Sequence, residues 1–335
     1  MGLMDIGEGM SLSPFSGRLI GANQEPVEEQ LGRLGSWVDK ADAVLIGAGS
    51  GLSTAAGLTY SGARFRKYFG DFAKAYGISD IYSGGFYPFP DKETTWAWWS
   101  RHIYVNRYVD PPKSVYSDLL DVVRGRDYFV LTTNVDHQFQ RAGFDKGRLF
   151  YTQGDYGLLQ STNPESRRTY DNEELVLRMM EAQGFVRDAS GVFQPPAEGR
   201  LLMRIPAELI PKCPDDGADM TMNLRSDDTF VQDEGWYRAR ERYHHFVEEH
   251  EGCRVLLWEL GVGMNTPVII KFPFWRETLD NRNARYACVN YGQAYGPSEI
   301  ADRSLLMGAD IAQVLAKLKR MLGHSRTDYC GRGMS

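Results

Sequence analysis

Two short stretches of this 335-residue chain combine residue types and spacings that could do chemistry. The first is A-V-L-I-G-A-G-S-G-L-S-T-A-A-G at 43–57. Apolar Val44, Leu45 and Ile46 give way to Gly47, Ala48, Gly49 and Gly51, then to Ser53, Thr54, Ala55, Ala56 and Gly57. A buried strand that turns through glycines into a helix start brings backbone N–H groups and a positive dipole end toward a phosphate. The second is D-Y-F-V-L-T-T-N-V-D at 127–136, an apolar run ending in polar residues. Ligands of open α/β sheets gather beyond the carboxyl ends of strands, which makes Asn134 and Asp136 candidates. Taken singly, neither stretch decides the matter. Many glycine-rich turns bind nothing, and Asn and Asp commonly form turns at strand ends.

Other reactive residues point to less. His244, His245 and His250 lie at offsets of one and six on an expected helix at 237–250, so they spread around it instead of meeting at a metal. Cys213, Cys253, Cys288 and Cys330 include no close pair, the pattern of a reduced, intracellular protein rather than a disulfide framework. A dinucleotide dehydrogenase carries a second strand ending in an acidic residue about 20 positions past the glycines. Asp71 stands near that distance, but Tyr68, Phe69, Gly70, Phe72 and Lys74 around it do not make a buried strand. Hydride transfer is disfavoured.

Charge and hydropathy exclude further classes. Lys plus Arg is 38 against 44 Asp plus Glu, a net charge of −6, which argues against a general affinity for nucleic acid or anionic membrane. No apolar run approaches the ~20 residues of a membrane span. The opening M-G-L-M-D-I-G-E-G-M has neither a signal nor a transit pattern, so a cytoplasmic protein is expected.

The elements that would position these residues alternate strand and helix. Val27, Leu31, Leu34, Trp37 and Val38 recur at helical spacing ahead of the glycine stretch. Further strands are expected at 148–151, 254–260 and 285–290, and S-L-L-M-G-A-D at 304–310 leads into a helix with Ile311, Val314, Leu315 and Leu318. The expected fold is α/β, a doubly wound parallel Rossmann-like sheet with a helical insertion and a small inserted subdomain. The main domain spans 26–158 and 237–322, the Trp-rich helical insertion 59–112, and the subdomain 159–236; 1–25 and 323–335 are expected to be loose termini. In the insertion, Trp96, Trp99 and Ile103 fall on one helical face, as in a packed helix whose inner aromatics could also shield a site.

In order and spacing, these motifs resemble the sirtuin family over most of residues 30–320. The matching residues are Gly47-Ala48-Gly49 with Ser53 and Ala56-Gly57, Thr132, Asn134 and Asp136 leading to Arg141-Ala142-Gly143, G-V-G-M-N-T-P at 261–267, and Val289-Asn290. The resemblance implies NAD as co-substrate. It puts the dinucleotide phosphates at Gly47, Ala48, Gly49, Ser53 and Gly57, and at Gly261, Val262, Gly263, Asn265 and Thr266. The adenosine half would lie at Asn290, Tyr291 and Gly292, with Asp310 and Ile311 near the adenine. Arg64 and Phe65 would contribute from a mobile loop.

Three departures narrow the resemblance. Sirtuin deacylases place a His where this chain has Gln153, in T-Q-G-D-Y-G. A P-D-F-R motif is replaced by Leu58-Thr59-Tyr60 followed by Gly62-Ala63-Arg64-Phe65, and the glycine turn carries the extra Ser50-Gly51. These features, with the Trp-rich insertion and N-L-R-S-D-D-T-F-V-Q-D-E-G-W at 223–236, are similar to class M sirtuins (SirTM). That group is associated with macrodomain hydrolases and ADP-ribosylates lipoyl-carrier proteins. A lipoylated carrier partner and catalytic roles for Asn134, Gln153 and Asp136 are what the resemblance implies. Sirtuins also fix a zinc-ribbon-like subdomain with four cysteines. Here Cys213 remains in C-P-D-D-G, Asp216 takes the second place, and 158–166 offers none, so no zinc is expected.

Cleaving the nicotinamide–ribose bond builds positive charge at ribose C1′, and the site must stabilise that charge while admitting one nucleophile. A His at 153 could accept a proton from a ribose hydroxyl, as deacylation requires; a Gln cannot act as a base near neutral pH. A carboxylate acceptor needs no base. The expected function is therefore NAD-dependent protein ADP-ribosyltransfer with nicotinamide release. The alternatives are an NAD-dependent deacylase, a non-catalytic NAD or ADP-ribose binding module, and a plain NAD glycohydrolase.

Overall fold

Six apolar runs form one parallel sheet: β1 (Ala43–Ala48), β2 (Tyr128–Thr132), β3 (Leu149–Tyr151), β4 (Val255–Leu260), β5 (Arg285–Val289) and β6 (Ser304–Met307). The computed structural model describes residues 15–264 and 267–330, with side chains as far as Gly323. Every residue of β1, β2, β4 and β6 is buried, which explains their unbroken hydrophobicity. The strand order is β6-β5-β4-β1-β2-β3. The chain builds outward from β1 to one side, then crosses over and builds outward from β4. That reversal opens a crevice at the carboxyl ends of β1 and β4, where Leu260 lies beside Ala48.

The helices are α1 (Val27–Lys40), α2 (Ser50–Ala55), α3 (Ala63–Tyr76), α4 (Ile81–Gly84), α5 (Lys92–Ile103), α6 (Val115–Val123), α7 (Gln138–Arg141), α8 (Glu173–Ala182), α9 (Glu234–Glu249), α10 (Lys271–Asp280) and α11 (Ile311–Cys330). Alternate strand residues face opposite layers. Val44, Ile46, Val130 and Trp258 pack beneath α1, α6 and α11, while Leu45, Phe129, Leu257 and Cys288 pack beneath α9 and α10. Carboxylates start two of the longer helices. Asp91 accepts from Thr94 N–H at 2.8 Å ahead of α5, and Asp233 from Trp236 N–H at 2.8 Å ahead of α9.

The insertion and the subdomain share a second core. Phe69, Phe72 and Trp98 meet Met179, Met180 and Phe193 there. Trp98 rather than Trp99 is the fully buried indole, with its ring 4.5 Å from that of Phe69. Trp96 and Ile103 are buried as expected, but α5 packs against both α3 and α8, so its buried surface is wider than one stripe. Asp71 sits on α3, where it pairs with the buried Arg101 at 2.7 Å. The subdomain is built on a three-stranded antiparallel sheet with Gly154–Ser161 between Thr169–Asp171 and Met220–Leu224.

Around Cys213 the donors do not fit a tetrahedral zinc. Asp216 accepts from Ser161 Oγ at 3.0 Å, Asn163 Nδ2 at 3.1 Å and Ala218 N–H at 2.9 Å, and Cys213 Sγ lies 3.6 Å from Tyr170 Oη. Hydrogen bonds close the loop that a metal would otherwise hold. Among the described residues, no three His, Cys, Asp or Glu side chains gather for a metal.

Residues 15–25, expected to be loose, are attached to the fold. Leu19–Ile20 pairs antiparallel with Gly296–Pro297, and Asn23 Oδ1 accepts from Leu306 N–H at 2.7 Å. The last helix continues to Cys330; residues 1–14 and 331–335 lie outside the described residues. No described helix is long and apolar enough to cross a membrane.

Candidate active site

The glycines of the first motif serve contact before they serve any ligand. A Cβ on Gly49 would lie 2.7 Å from the carbonyl oxygen of Gly261, and one on Gly51 would lie 2.7 Å from Gly261 Cα. Gly261 itself adopts φ +65°, which favours glycine. Gly49 N–H donates to Leu260 O at 3.0 Å and Gly51 N–H to Gly261 O at 2.9 Å. The turns after β1 and β4 are thus pressed backbone to backbone at the switch point. Gly47 faces elsewhere: a Cβ there would sit 2.3 Å from Ile270 Cγ2, so it is a packing position beside α10. Gly57, at φ +94°, turns against Pro112. Ala48 O is taken by Thr132 Oγ1 at 2.9 Å and Thr133 N–H at 3.1 Å.

Beyond these turns lies a pocket of about 90 Å³ lined by Ser50, Ser53, Thr54, Leu58, Tyr60, Asn106, Thr133, Asn134, Val135, Asp136 and Tyr156. Asn134 and Asp136 therefore meet Ser53, as the sequence suggests. Asn134 Nδ2 donates to Gly49 O at 3.0 Å and reaches Tyr116 Oη at 3.4 Å. Ser53 Oγ donates to Asp136 Oδ2 at 2.5 Å and lies 2.9 Å from Tyr116 Oη. Since Ser53 spends its single proton on Asp136, Tyr116 is the donor to Ser53. The chain Asn134–Tyr116–Ser53–Asp136 then runs in one direction. It leaves Asn134 Oδ1 without a protein donor among the described residues, as an acceptor at the pocket. Burial pushes the Asp136 carboxyl above its usual value against the pull of the Ser53 hydrogen bond, and burial likewise raises the Tyr116 phenol, which stays protonated.

The opposite wall comes from the insertion. At its end α5 widens into a π-helical turn, Tyr104–Tyr108, which brings Asn106 to the pocket. His102 Nε2 lies 2.8 Å from Tyr156 Oη, and Tyr60 Oη 3.3 Å from it. Burial depresses His102 to about 3, so the ring is neutral and its nitrogen accepts or donates without charge.

Other expected residues stand further off. Gln153 is half-buried next to the crevice residues Tyr151, Gly154 and Asp155, but its side chain reaches only Thr152 Oγ1, at 3.4 Å. Arg64 donates to Asn106 Oδ1 at 3.0 Å and Thr59 O at 3.1 Å, and Phe65 is buried against Phe69. Both belong to the first turn of α3, and neither lines the pocket. Val262 is buried and its carbonyl accepts from Asn290 Nδ2 at 2.9 Å; Gly263 follows, half-buried. Tyr291 is 82% exposed, and Gly292 turns at φ +78°. Asp310 Oδ1 accepts from Gln313 N–H at 3.0 Å as α11 begins at the buried Ile311. Asn265 and Thr266 lie outside the described residues.

Sequence reasoning missed Tyr60, Asn106, Tyr116 and Tyr156. Asn106 and Tyr116 sit in helical segments read as packing, whereas Tyr60 and Tyr156 stood inside the quoted stretches Leu58-Thr59-Tyr60 and T-Q-G-D-Y-G, and only the tertiary fold brings the four around Asn134.

No protein-family model matches the chain. It is 34% identical over 284 residues to a protein named protein ADP-ribosyltransferase from Staphylococcus aureus (strain Mu50), covering 84% of this chain and 85% of that one. It is 30% identical over 270 residues to a probable bifunctional ADP-ribose hydrolase/ADP-ribosyltransferase from Fusarium oxysporum f. sp. cubense, covering 78% of this chain and 42% of that longer one. Among solved structures, a Sir2 homolog–NAD complex superposes with a TM-score of 0.55 at 16% identity, over 91% of this chain and 96% of that one. Sir2Tm bound to a propionylated peptide gives 0.51 at 14% identity, over 88% and 98%. At such identities the likeness is one of fold.

Proposed function

The chain belongs to the family of the staphylococcal protein ADP-ribosyltransferase, on a sirtuin fold, and from that premise we propose that it transfers ADP-ribose from NAD to a protein acceptor and releases nicotinamide. The observation that carries this reading is the directed chain Asn134–Tyr116–Ser53–Asp136 around the pocket at the switch point. A neutral amide oxygen at Asn134 and a carboxylate at Asp136 suit a centre that becomes positively charged as the nicotinamide bond breaks. The backbone turns after β1 and β4 would hold the pyrophosphate, with Asn290 on the adenosine side.

Within that family the reading is class M. The acceptor would be a lipoylated carrier protein and a macrodomain hydrolase its counterpart, as the sequence motifs suggest; the Fusarium relative, named for both activities, is consistent with such a pairing. Gln153 speaks against deacylation because an amide side chain cannot take the proton of a ribose hydroxyl. The test is incubation of the purified protein with NAD and, in parallel, acetylated peptide and lipoylated carrier. ADP-ribosylated carrier with intact acetyl peptide is expected; robust deacetylation without carrier modification would sink the reading.

A further inference from the structure

The chain carries a net charge of −6, yet one helix of the insertion shows the opposite sign. At helical spacing Ala63, Arg66, Lys67, Gly70 and Lys74 share the outer side of α3, away from the buried Phe65, Tyr68, Phe69 and Phe72. Arg66, Lys67 and Lys74 are exposed, and none of them forms an ion pair among the described residues. Lys67 only crosses the Tyr68 ring, at 5.2 Å. Between residues 59 and 79 the one acid is Asp71, which is committed to the buried Arg101 at 2.7 Å. Asp80, next in the chain, accepts from Ser83 N–H at 2.8 Å as the cap of α4. Gly70 weakens the helix relative to alanine, and a Cβ there would meet nothing within 4 Å. The outer side of α3 is therefore a low, uncompensated basic face.

Alongside it lie aromatics that the fold leaves exposed. The segment after α3 runs beside the helix: Ile81 N–H donates to Tyr60 O ahead of α3, and the Tyr87 and Phe89 rings lie 5.3 Å from that of Tyr76 at its end. On this segment Tyr82 is 59% exposed and Phe86 66%. Their rings are 5.2 Å apart, and Tyr82 lies 6.2 Å from Tyr60, which lines the pocket with Asn134 and Asp136. A series of rings thus leads from the pocket to the surface. The basic helix reaches the same place, since Arg64 in its first turn donates to Asn106 Oδ1 on the pocket wall. Exposed aromatics beside unpaired charges of one sign are the composition of a protein-binding surface.

We propose that the outer face of α3, with Tyr82 and Phe86, docks the acceptor protein, and that the acceptor meets it with an acidic face. The inference rests on the transfer reading above and adds where the acceptor is held. A pocket of about 90 Å³ can touch no more than one side chain of a protein, so the contacts that select the protein lie outside it. Three unpaired cations steer an acidic partner to this side of an otherwise acidic molecule, and Tyr82 and Phe86 hold it once water is displaced. Nucleic acid would also answer to the cations, but the net charge of −6 opposes a polyanion that extends beyond the patch.

The test measures carrier binding and carrier modification separately, with the full chain, NAD and a lipoylated carrier protein. Arg66→Glu, Lys67→Glu and Lys74→Glu combined are expected to raise KM for the carrier roughly 10-fold or more at low salt, with kcat and the Kd for NAD near wild type. Tyr82→Ser with Phe86→Ser raises KM in the same way. Raising salt from about 0.05 M to 0.5 M weakens carrier binding by the wild type and hardly changes it for the charge-reversed chain. An unchanged KM in either variant overturns the docking surface and leaves transfer standing. So does a wild-type chain that captures a DNA duplex of random sequence in place of the carrier, or a dimer that the charge reversal dissolves. Carrier bound through this face but left unmodified overturns the transfer reading and leaves the surface; a wild-type chain that neither binds nor modifies the carrier overturns both.

Discussion

Asn134 is oriented by two donations, to Gly49 O and Tyr116 Oη, so its free oxygen has a defined direction. Asn134→Ala removes both donations and that oxygen. Nicotinamide release is expected to fall about 10²–10³-fold with the fold retained; measurable turnover near wild type would remove Asn134 from the chemistry. Asp136 offers a pH test. Its carboxyl is raised from 3.8 by burial, so the folded chain binds that proton more tightly than the unfolded chain. Its ionisation therefore costs stability, which falls as pH rises from 3.8 through the folded value. Asp136→Asn is expected to be more stable than wild type at pH ~7, with the gap closing toward pH ~4, as read by urea denaturation at both. A gap that widens on acidification contradicts the assignment.

The elements that carry these residues meet through contacts that no sequence window contains. The G-A-G-S-G turn reads readily as a strand end, yet Gly49 and Gly51 answer to Gly261, more than 200 residues away in the chain. Gly51→Ala is expected to cost about 2–4 kcal/mol by forcing the β1 and β4 turns apart, seen as a lowered Tm and weaker NAD binding. An unchanged Tm would show that the turns can separate freely. Strand positions were legible because β1, β2 and β4 are buried on both faces and so carry unbroken apolar runs. The face of α5 was not: two helices cover it, and Trp98 rather than Trp99 became the centre of the second core. His102 on that helix is depressed from 6.5 to about 3 by burial. The unfolded chain takes the proton first, so stability falls as pH drops through that window. His102→Gln is expected to flatten this slope in pH-dependent thermal melts; an unchanged slope would assign the acid sensitivity elsewhere.

At the scale of the molecule, one ion pair sits inside the main core with no exposure at all. Lys271 Nζ lies 2.5 Å from Glu259 Oε1, and Tyr286 donates to Oε2 at 2.7 Å. Lys271→Met leaves that carboxylate uncompensated and is expected to cost about 3–5 kcal/mol, with less lost when Glu259 is made apolar as well. The subdomain closes through Asp216, Ser161 and Asn163, so a chelator is expected to leave its Tm unchanged, and a fall on chelation would reveal a metal. Doubly wound topology was legible from the alternation of elements, whereas the pocket, assembled from α2 and the loop after it, the π-helical turn after α5, the end of β2 and the start of the Gly154–Ser161 strand, was legible only at Asn134, Asp136 and Ser53. The most direct measurement of the whole account is intact-mass spectrometry of a lipoylated carrier protein incubated with NAD and the wild-type chain, with free nicotinamide measured in the same tube. One ADP-ribose added to the carrier for each nicotinamide released, and neither with Asn134→Ala, is the expected result. An unmodified carrier beside intact NAD would contradict it.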